Sequence, residues 1–462
     1  MTITAPRRKA QRARVPRIQS GTRTNNLDHF QMTAIASGRT LGADVRPREV
    51  WAWAMYDFAN SGYTTVVITA VFSAYFVSVV AGKAVWATFA WTAALSASYA
   101  LIMLTAPLVG AWADAHGAKK KLLALSTVGC VVSTALLWYA GPGTLVATML
   151  LIVVSNYFFG SGENLIAAFL PELADSEAMG RVSGWGWSIG YLGGLLSLGI
   201  CLAYITWAQG KGIPATSFVP DTMLITAALF ALVSLPTFLF LRERAVPHRL
   251  REGTMSTAWR RVLDTMREAQ RYRDLRRFLL CVVFYQAGIQ AVIALAAIYA
   301  QEAMKFTTQQ TIVLILVVNV TAAAGAFAFG YVQDAIGHVK AVGLTLVGWI
   351  AMVLIAGMAQ GTAAFWVAAN IAGLCMGASQ AAGRAIVGVL APPARLGEFF
   401  GLWGLAVKLA SIFGPLSYGL MTWIFAGDHR TAIMVLGVYF AIGLAILRGV
   451  DMQRGRAAAL AP

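Results

Sequence analysis

The chain has 462 residues, of which 58% are hydrophobic and only 12% charged, and its mean hydropathy is +0.67. Soluble domains run roughly a quarter charged, so a soluble globular protein is excluded, and 14 Trp and 23 Phe give too much apolar surface for a disordered one. The net charge of +16 raises nucleic-acid binding, which the distribution of the cations decides.

In chain order, residues 1–50 come first, Arg-rich and free of acids over 1–27. They lack the apolar core of a signal peptide, so the first hydrophobic segment is an uncleaved anchor. The segment reads as a basic, disordered cytoplasmic arm; an organelle transit segment, or translation from Met32, would leave the same composition. Continuous apolar runs long enough to cross a bilayer follow at 51–80, 87–112, 122–140, 145–169, 185–207 and 223–241, and again at 278–299, 311–331, 341–358, 364–382, 399–423 and 431–447. Barrel strands would alternate over about ten residues, so the runs are helices. The expected fold is an all-α polytopic membrane protein of twelve spans in two six-helix halves. The divisions are an arm (1–50), an N-terminal half (51–241), a linker (242–277), a C-terminal half (278–447) and a tail (448–462).

With the amino terminus inside, 31 of the 36 Lys and Arg fall on the cytoplasmic side. Only Lys83, Lys211, Lys305 and Arg430 fall opposite, and Lys408 lies within a span. This positive-inside bias puts both termini in the cytoplasm and accounts for the charge without nucleic acid. Cys130, Cys201, Cys281 and Cys375 fall in four different spans with no paired spacing and read as small packing residues.

An internal repeat stands out. Gly110, Asp114, Gly117 and Lys120 after the second span recur as Gly330, Asp334, Gly337 and Lys340 after the eighth, at an offset of 220. The chain is a duplicated six-helix unit. Gly117 and Gly337 suit the positive φ of a helix end, and the acids suit a latch that pairs across the two halves in one conformation. A static turn with orienting lysines is the alternative. In the linker, Trp259, Val262, Leu263 and Met266 form a stripe at helical spacing on a basic helix, which would lie on the membrane surface or pack on its own bundle.

Three blocks point further. They are YDFANSGY (Tyr56 to Tyr63) followed by FSAYF, FLPELADSEAMGRVSGWGWSIGYLGG (Phe169 to Gly194), and GASQAAGRAIVGVLAPPARLGEFFGLWGLAVKLASIFGP (Gly377 to Pro415). With the duplicated turn, they make the chain resemble the major facilitator superfamily, in the branch of the yeast autophagy-related vacuolar amino-acid effluxer and its bacterial relatives. It departs at Ser73, where the family usually has Pro, and at Ala167, where it commonly has Asn. The resemblance implies a secondary transporter that moves amino acids or similar small metabolites, with helices 1, 4, 7 and 10 lining the cavity; the expected membrane is an organellar one or, if the source is bacterial, the inner membrane.

Ionisable groups within hydrocarbon are costly and therefore functional candidates. The expected spans hold Asp57, Glu163 and Lys408 at comparable depth. On the superfamily fold Asp57 and Glu163 would both face the cavity, and two close carboxylates do not both ionise cheaply, which makes a proton acceptor. Lys408 suits a substrate carboxylate or neutralises a buried acid. Asn60, Asn164, Gln286 and Gln290 join the candidate cavity set, the two Gln sharing a face at i, i+4. Arg181, Arg384 and Glu398 join the cytoplasmic gate. Gly184, Gly186, Gly190, Gly193 and Gly194 give helix 5 small faces for sliding contact. No nucleotide loop occurs and the five His show no ligand spacing, so neither an enzyme, a metal nor a cofactor is expected. The expected partners are a small solute, protons and lipid, for a monomer. A transporter-like sensor or scaffold is the alternative from another class.

Overall fold

The computed structural model describes residues 2, 44–173, 179–244, 254–392 and 396–460. Most of the arm lies outside these residues. Among them there is no strand, as continuous apolar runs require in a medium where every backbone group must be paired internally. Twelve helices among the described residues are long and apolar enough to cross a membrane. Spans 1 to 6 are Pro47–Val80, Ala87–His116, Lys119–Tyr139, Leu145–Ala167, Met179–Gly210 and Ala215–Phe240. Spans 7 to 12 are Arg273–Glu302, Thr308–Ile336, His338–Met358, Thr362–Leu390, Leu396–Ile424 and His429–Leu447. A linker helix, Thr254–Ala269, joins the halves, and a tail helix, Met452–Leu460, ends the described chain.

Several helices outrun the apolar windows that foretold them. Span 6 starts at Ala215 rather than 223: the helix runs through Pro220 and Asp221, two residues with the chemistry of a turn. Span 7 starts at Arg273 with four charged residues in its first turns. Hydrophobicity marks the bilayer edge, whereas the hydrogen-bond ladder continues into water.

The packing reproduces the duplication. Within the first half, span 1 packs on 5 and 6, span 2 on 4, and span 3 on 4 and 6; within the second, 7 packs on 11 and 12, 8 on 10, and 9 on 10 and 12. Between halves, span 2 meets 11 and span 5 meets 8. Adding six to every number leaves this pattern unchanged, the signature of a pseudo-two-fold axis. Side chains such as Leu150, Leu232, Leu239 and Met358 are more than 60% exposed, a surface that suits lipid and not water.

On the side bearing both termini, each half is stapled to itself. Glu243 accepts from the N–H groups of Lys119 (2.6 Å) and Lys120 (3.1 Å) and so caps span 3 from a distance, where Ala118 supplies no side-chain cap. Glu172 accepts from the Arg244 N–H (2.7 Å) and pairs with Lys119 Nζ (3.1 Å). Arg244 reaches back to the buried Glu49 at 2.9 Å. In the second half, Arg454 of the tail helix grips buried Asp274 through Nε (2.8 Å) and Nη2 (2.6 Å), a bidentate pair.

Candidate functional site: an ion pair across the two halves

Span 1 is held inside the first half by its aromatic residues. Trp53 Nε1 donates to the Ile166 carbonyl (2.9 Å), Tyr56 shares a hydrogen bond with Thr127 (3.1 Å) and Tyr63 with Ser155 (2.7 Å). Close approach of span 4 depends on small residues. A Cβ at Gly160 would run into Ile102 of span 2, and one at Gly162 into the hydroxyl of Tyr56. With these faces committed inward, Glu163 turns toward the second half.

There it meets Lys408 of span 11, whose Nζ lies 2.9 Å from Glu163 Oε2 and 5.6 Å from the centroid of the Tyr99 ring of span 2. The ammonium is thus held by a carboxylate and an aromatic face together. Beside Tyr99 on span 2, Ser98 accepts from the Asn156 amide of span 4. Asn156 is fully buried, and its Oδ1 has no partner among the described residues. The pair itself is accessible, Lys408 at 20% and Glu163 at 41% exposure.

Asp57 lies on span 1 within electrostatic range of Glu163. It is seated by glycines: a Cβ at Gly186 would come 2.6 Å from Asp57 Oδ2 and 2.7 Å from the Trp53 ring, and one at Gly193 would strike the backbone of Phe58. Span 5 can lie this close to span 1 only because these positions have no side chain. Asn60 is buried with its Oδ1 unpartnered among the described residues.

The other expected site residues are spread more widely. Asn164 is exposed beside Glu163. Gln286 is fully buried in the second half and donates to Gln380 (3.0 Å), tying span 7 to span 10, while Gln290 is half-buried. Gly110 is helical, Gly117 takes the left-handed conformation (φ 57°) that ends span 2, and Gly337 (φ 88°) precedes span 9, as a tight turn at each place demands. Lys120 Nζ donates to the Leu241 carbonyl (2.6 Å) of its own half, and Lys340 is exposed. The side chains of Asp114, Arg181, Asp334, Arg384 and Glu398, and the surroundings of Gly330, lie outside the described residues, and so does the latch they were expected to form.

Two features were not foreseen from sequence. Tyr99 reads there as one more aromatic in an apolar run. Asp221 was placed in a loop, but it lies in span 6 and accepts from Trp138 Nε1 (2.9 Å) and from the Tyr204 hydroxyl, bracing spans 3, 5 and 6 at the side away from the termini.

The described contacts between the halves beyond the pair run toward that same far side. Ser96 Oγ donates to the Ile412 carbonyl (3.0 Å), Phe89 stacks on Trp423 at 5.2 Å, and Gln309 Nε2 donates to Thr206 (3.2 Å). Two six-helix halves repeated about a pseudo-two-fold axis, with an ion pair between them, have the architecture of a transporter of the major facilitator type. The match to known structures agrees in fold: a nucleoside transporter, NupG (D323A mutant), superposes with a TM-score of 0.66 at 14% identity, covering 87% of this chain and 98% of that one. A bacterial homologue of the human lysosomal transporter Spinster, in an inward-facing and unoccupied conformation, gives 0.66 at 14% identity over 90% and 99% of the two chains.

Residues 77–460 match the model of the family described as vacuole effluxer Atg22 like, and the chain belongs to that family. Among its relatives, an uncharacterized MFS-type transporter, YxiO, of Bacillus subtilis is 29% identical over 87% of this chain and 94% of its own. Autophagy-related protein 22-1 of Neosartorya fischeri is 25% identical over 61% of this chain but 49% of its own, so this chain spans about half the length of that fungal relative. The protein is an integral, multi-pass membrane transporter.

Proposed function

We propose that this transporter moves a small polar metabolite, an amino acid or similar, by alternating access, coupled to protons and running as efflux, with both termini in the cytoplasm. The observation that carries the reading is the accessible Glu163–Lys408 pair, one partner from each half, beside the Tyr99 ring and in range of Asp57. A zwitterion can replace it charge for charge: a carboxylate on Lys408, an ammonium against Glu163 and the face of Tyr99. A proton delivered to Glu163 from Asp57 or from water neutralises it and frees Lys408. Either event removes an attraction between the halves and lets the far-side seam part. The family's description as a vacuole effluxer supports the direction.

The test is uptake of a panel of amino acids and metabolites into proteoliposomes under an imposed pH gradient, with wild type and Glu163→Gln compared. Gradient-driven accumulation that disappears in the variant is the expected result. Accumulation untouched by the variant removes Glu163 from coupling, and an absence of flux for every solute turns the reading toward a ligand sensor.

A further inference from the structure

The transport reading makes no use of the linker helix Thr254–Ala269. Its buried Thr265 and Ala269 mark the face that rests on the bundle, where the helix touches spans 2, 7 and 11. Around the helix from Thr265, Met266 stands at about 100° and Leu263 at about 160°, and they project at 52% and 48% exposure. Arg260 and Arg267 flank them, both exposed. Arg267 pairs with Asp264 and Arg271 with Glu268, each at 3.3 Å, but both arginines are more than 75% exposed, and pairs of that kind reopen easily.

Charge and position narrow the occupant of this face. Residues 242–277 carry 11 Arg against 5 acids. Only residues 270–272 separate the linker helix from span 7, so the helix is held at the level of the lipid headgroups around the bundle. Apolar side chains left open beside arginines at that level fit an anionic phospholipid surface. We infer that the linker helix is a binding element for anionic lipid: Leu263 and Met266 enter the acyl boundary while Arg260, Arg267 and Arg271 hold headgroup phosphates. Because the helix also touches span 2 of one half and span 11 of the other, lipid seated on it bears directly on the seam between them.

The test needs no knowledge of the solute, so its failure is distinct from any failure of the transport reading. All four native cysteines are buried, so Met266→Cys in the full-length protein offers a single site for a polarity-sensitive fluorophore. The labelled protein is reconstituted in phosphatidylcholine vesicles with and without phosphatidylglycerol, with brominated acyl chains as quencher. The expected result is a blue-shifted, lipid-quenched probe in the anionic vesicles, reversed by high salt. Replacing Arg260 and Arg267 together by Gln, both exposed and free of any packing role, should weaken the lipid effect roughly fivefold per cation. A probe that stays water-like in both lipids overturns the proposal, as does equal quenching in neutral vesicles. A probe shielded from water yet untouched by brominated lipid assigns the stripe to protein instead.

Discussion

Breaking the Glu163–Lys408 pair should move the balance between the transporter's conformations by an amount the structure bounds. Removing one partner of a fully buried pair typically costs 3–5 kcal/mol, and a fully exposed pair contributes about 0–1. Lys408 at 20% and Glu163 at 41% exposure stand between these limits, so a coupling of about 1–2 kcal/mol is expected, a five- to thirtyfold change in the equilibrium. Ser96 offers the readout. It is buried at the seam, its hydroxyl bonded to Ile412 of the other half, so Ser96→Cys reacts with a membrane-impermeant maleimide only when the far side parts. In that background, Glu163→Gln and Lys408→Met should each speed labelling roughly five- to thirtyfold, and the double variant should add little, as a shared interaction requires. Strictly additive effects, or no change in labelling from either variant, would refute the argument that this pair holds the far-side seam shut.

Two further expectations are independent of transport. Gly193→Ala should lower thermal stability by about 1–3 kcal/mol because its Cβ meets the Phe58 backbone, whereas Gly199→Ala, with nothing within 4 Å, should leave the melting curve in place; equal shifts would contradict the packing account. Asp428 caps span 12 by accepting from the N–H groups of Arg430 (2.9 Å) and Thr431 (3.2 Å), and with the Thr431 hydroxyl these bonds hold its carboxyl below the usual 3.8. Its contribution is therefore complete above that value and is lost as pH falls through the lower folded one. Melting curves of Asp428→Asn should then be less pH-dependent than wild type below about pH 4, and parallel curves would count against the cap.

The spans were legible because lipid imposes length and continuity on any helix that crosses it, and the turn repeat was legible because Gly117 and Gly337 answer a local backbone demand. The ion pair was not. Glu163 and Lys408 stand out separately as charges in apolar runs, but 245 positions separate them, and only the packing of span 2 against span 11 brings Lys408 over Tyr99 and up to Glu163. Gln286 shows the converse: its spacing from Gln290 suggested a shared polar face, yet Gln380 on span 10, invisible to a periodicity argument, takes its amide. The start of span 6 failed for a third reason, since Pro220 and Asp221 carry turn chemistry and the helix nevertheless runs through both.

Span 1 is wound in two ways. Past Tyr63 its ladder widens, with the Val71 N–H reaching the Val66 carbonyl at 3.0 Å and the Ala81 N–H reaching Phe76 at 2.8 Å, bonds that skip five residues instead of four. Each widened turn holds one surplus residue and slips the wheel by about 100°. Up to Tyr63 the helix shows its aromatic side to spans 3 and 4; beyond the slip, Thr64–Ala70 and Phe72–Tyr75 both touch span 7 of the opposite half. A helical wheel drawn through Trp53, Tyr56, Asn60 and Tyr63 and extended outward would therefore miss the turn toward span 7. Cross-linking or cysteine scanning along this segment has to be phased separately on either side of residue 64.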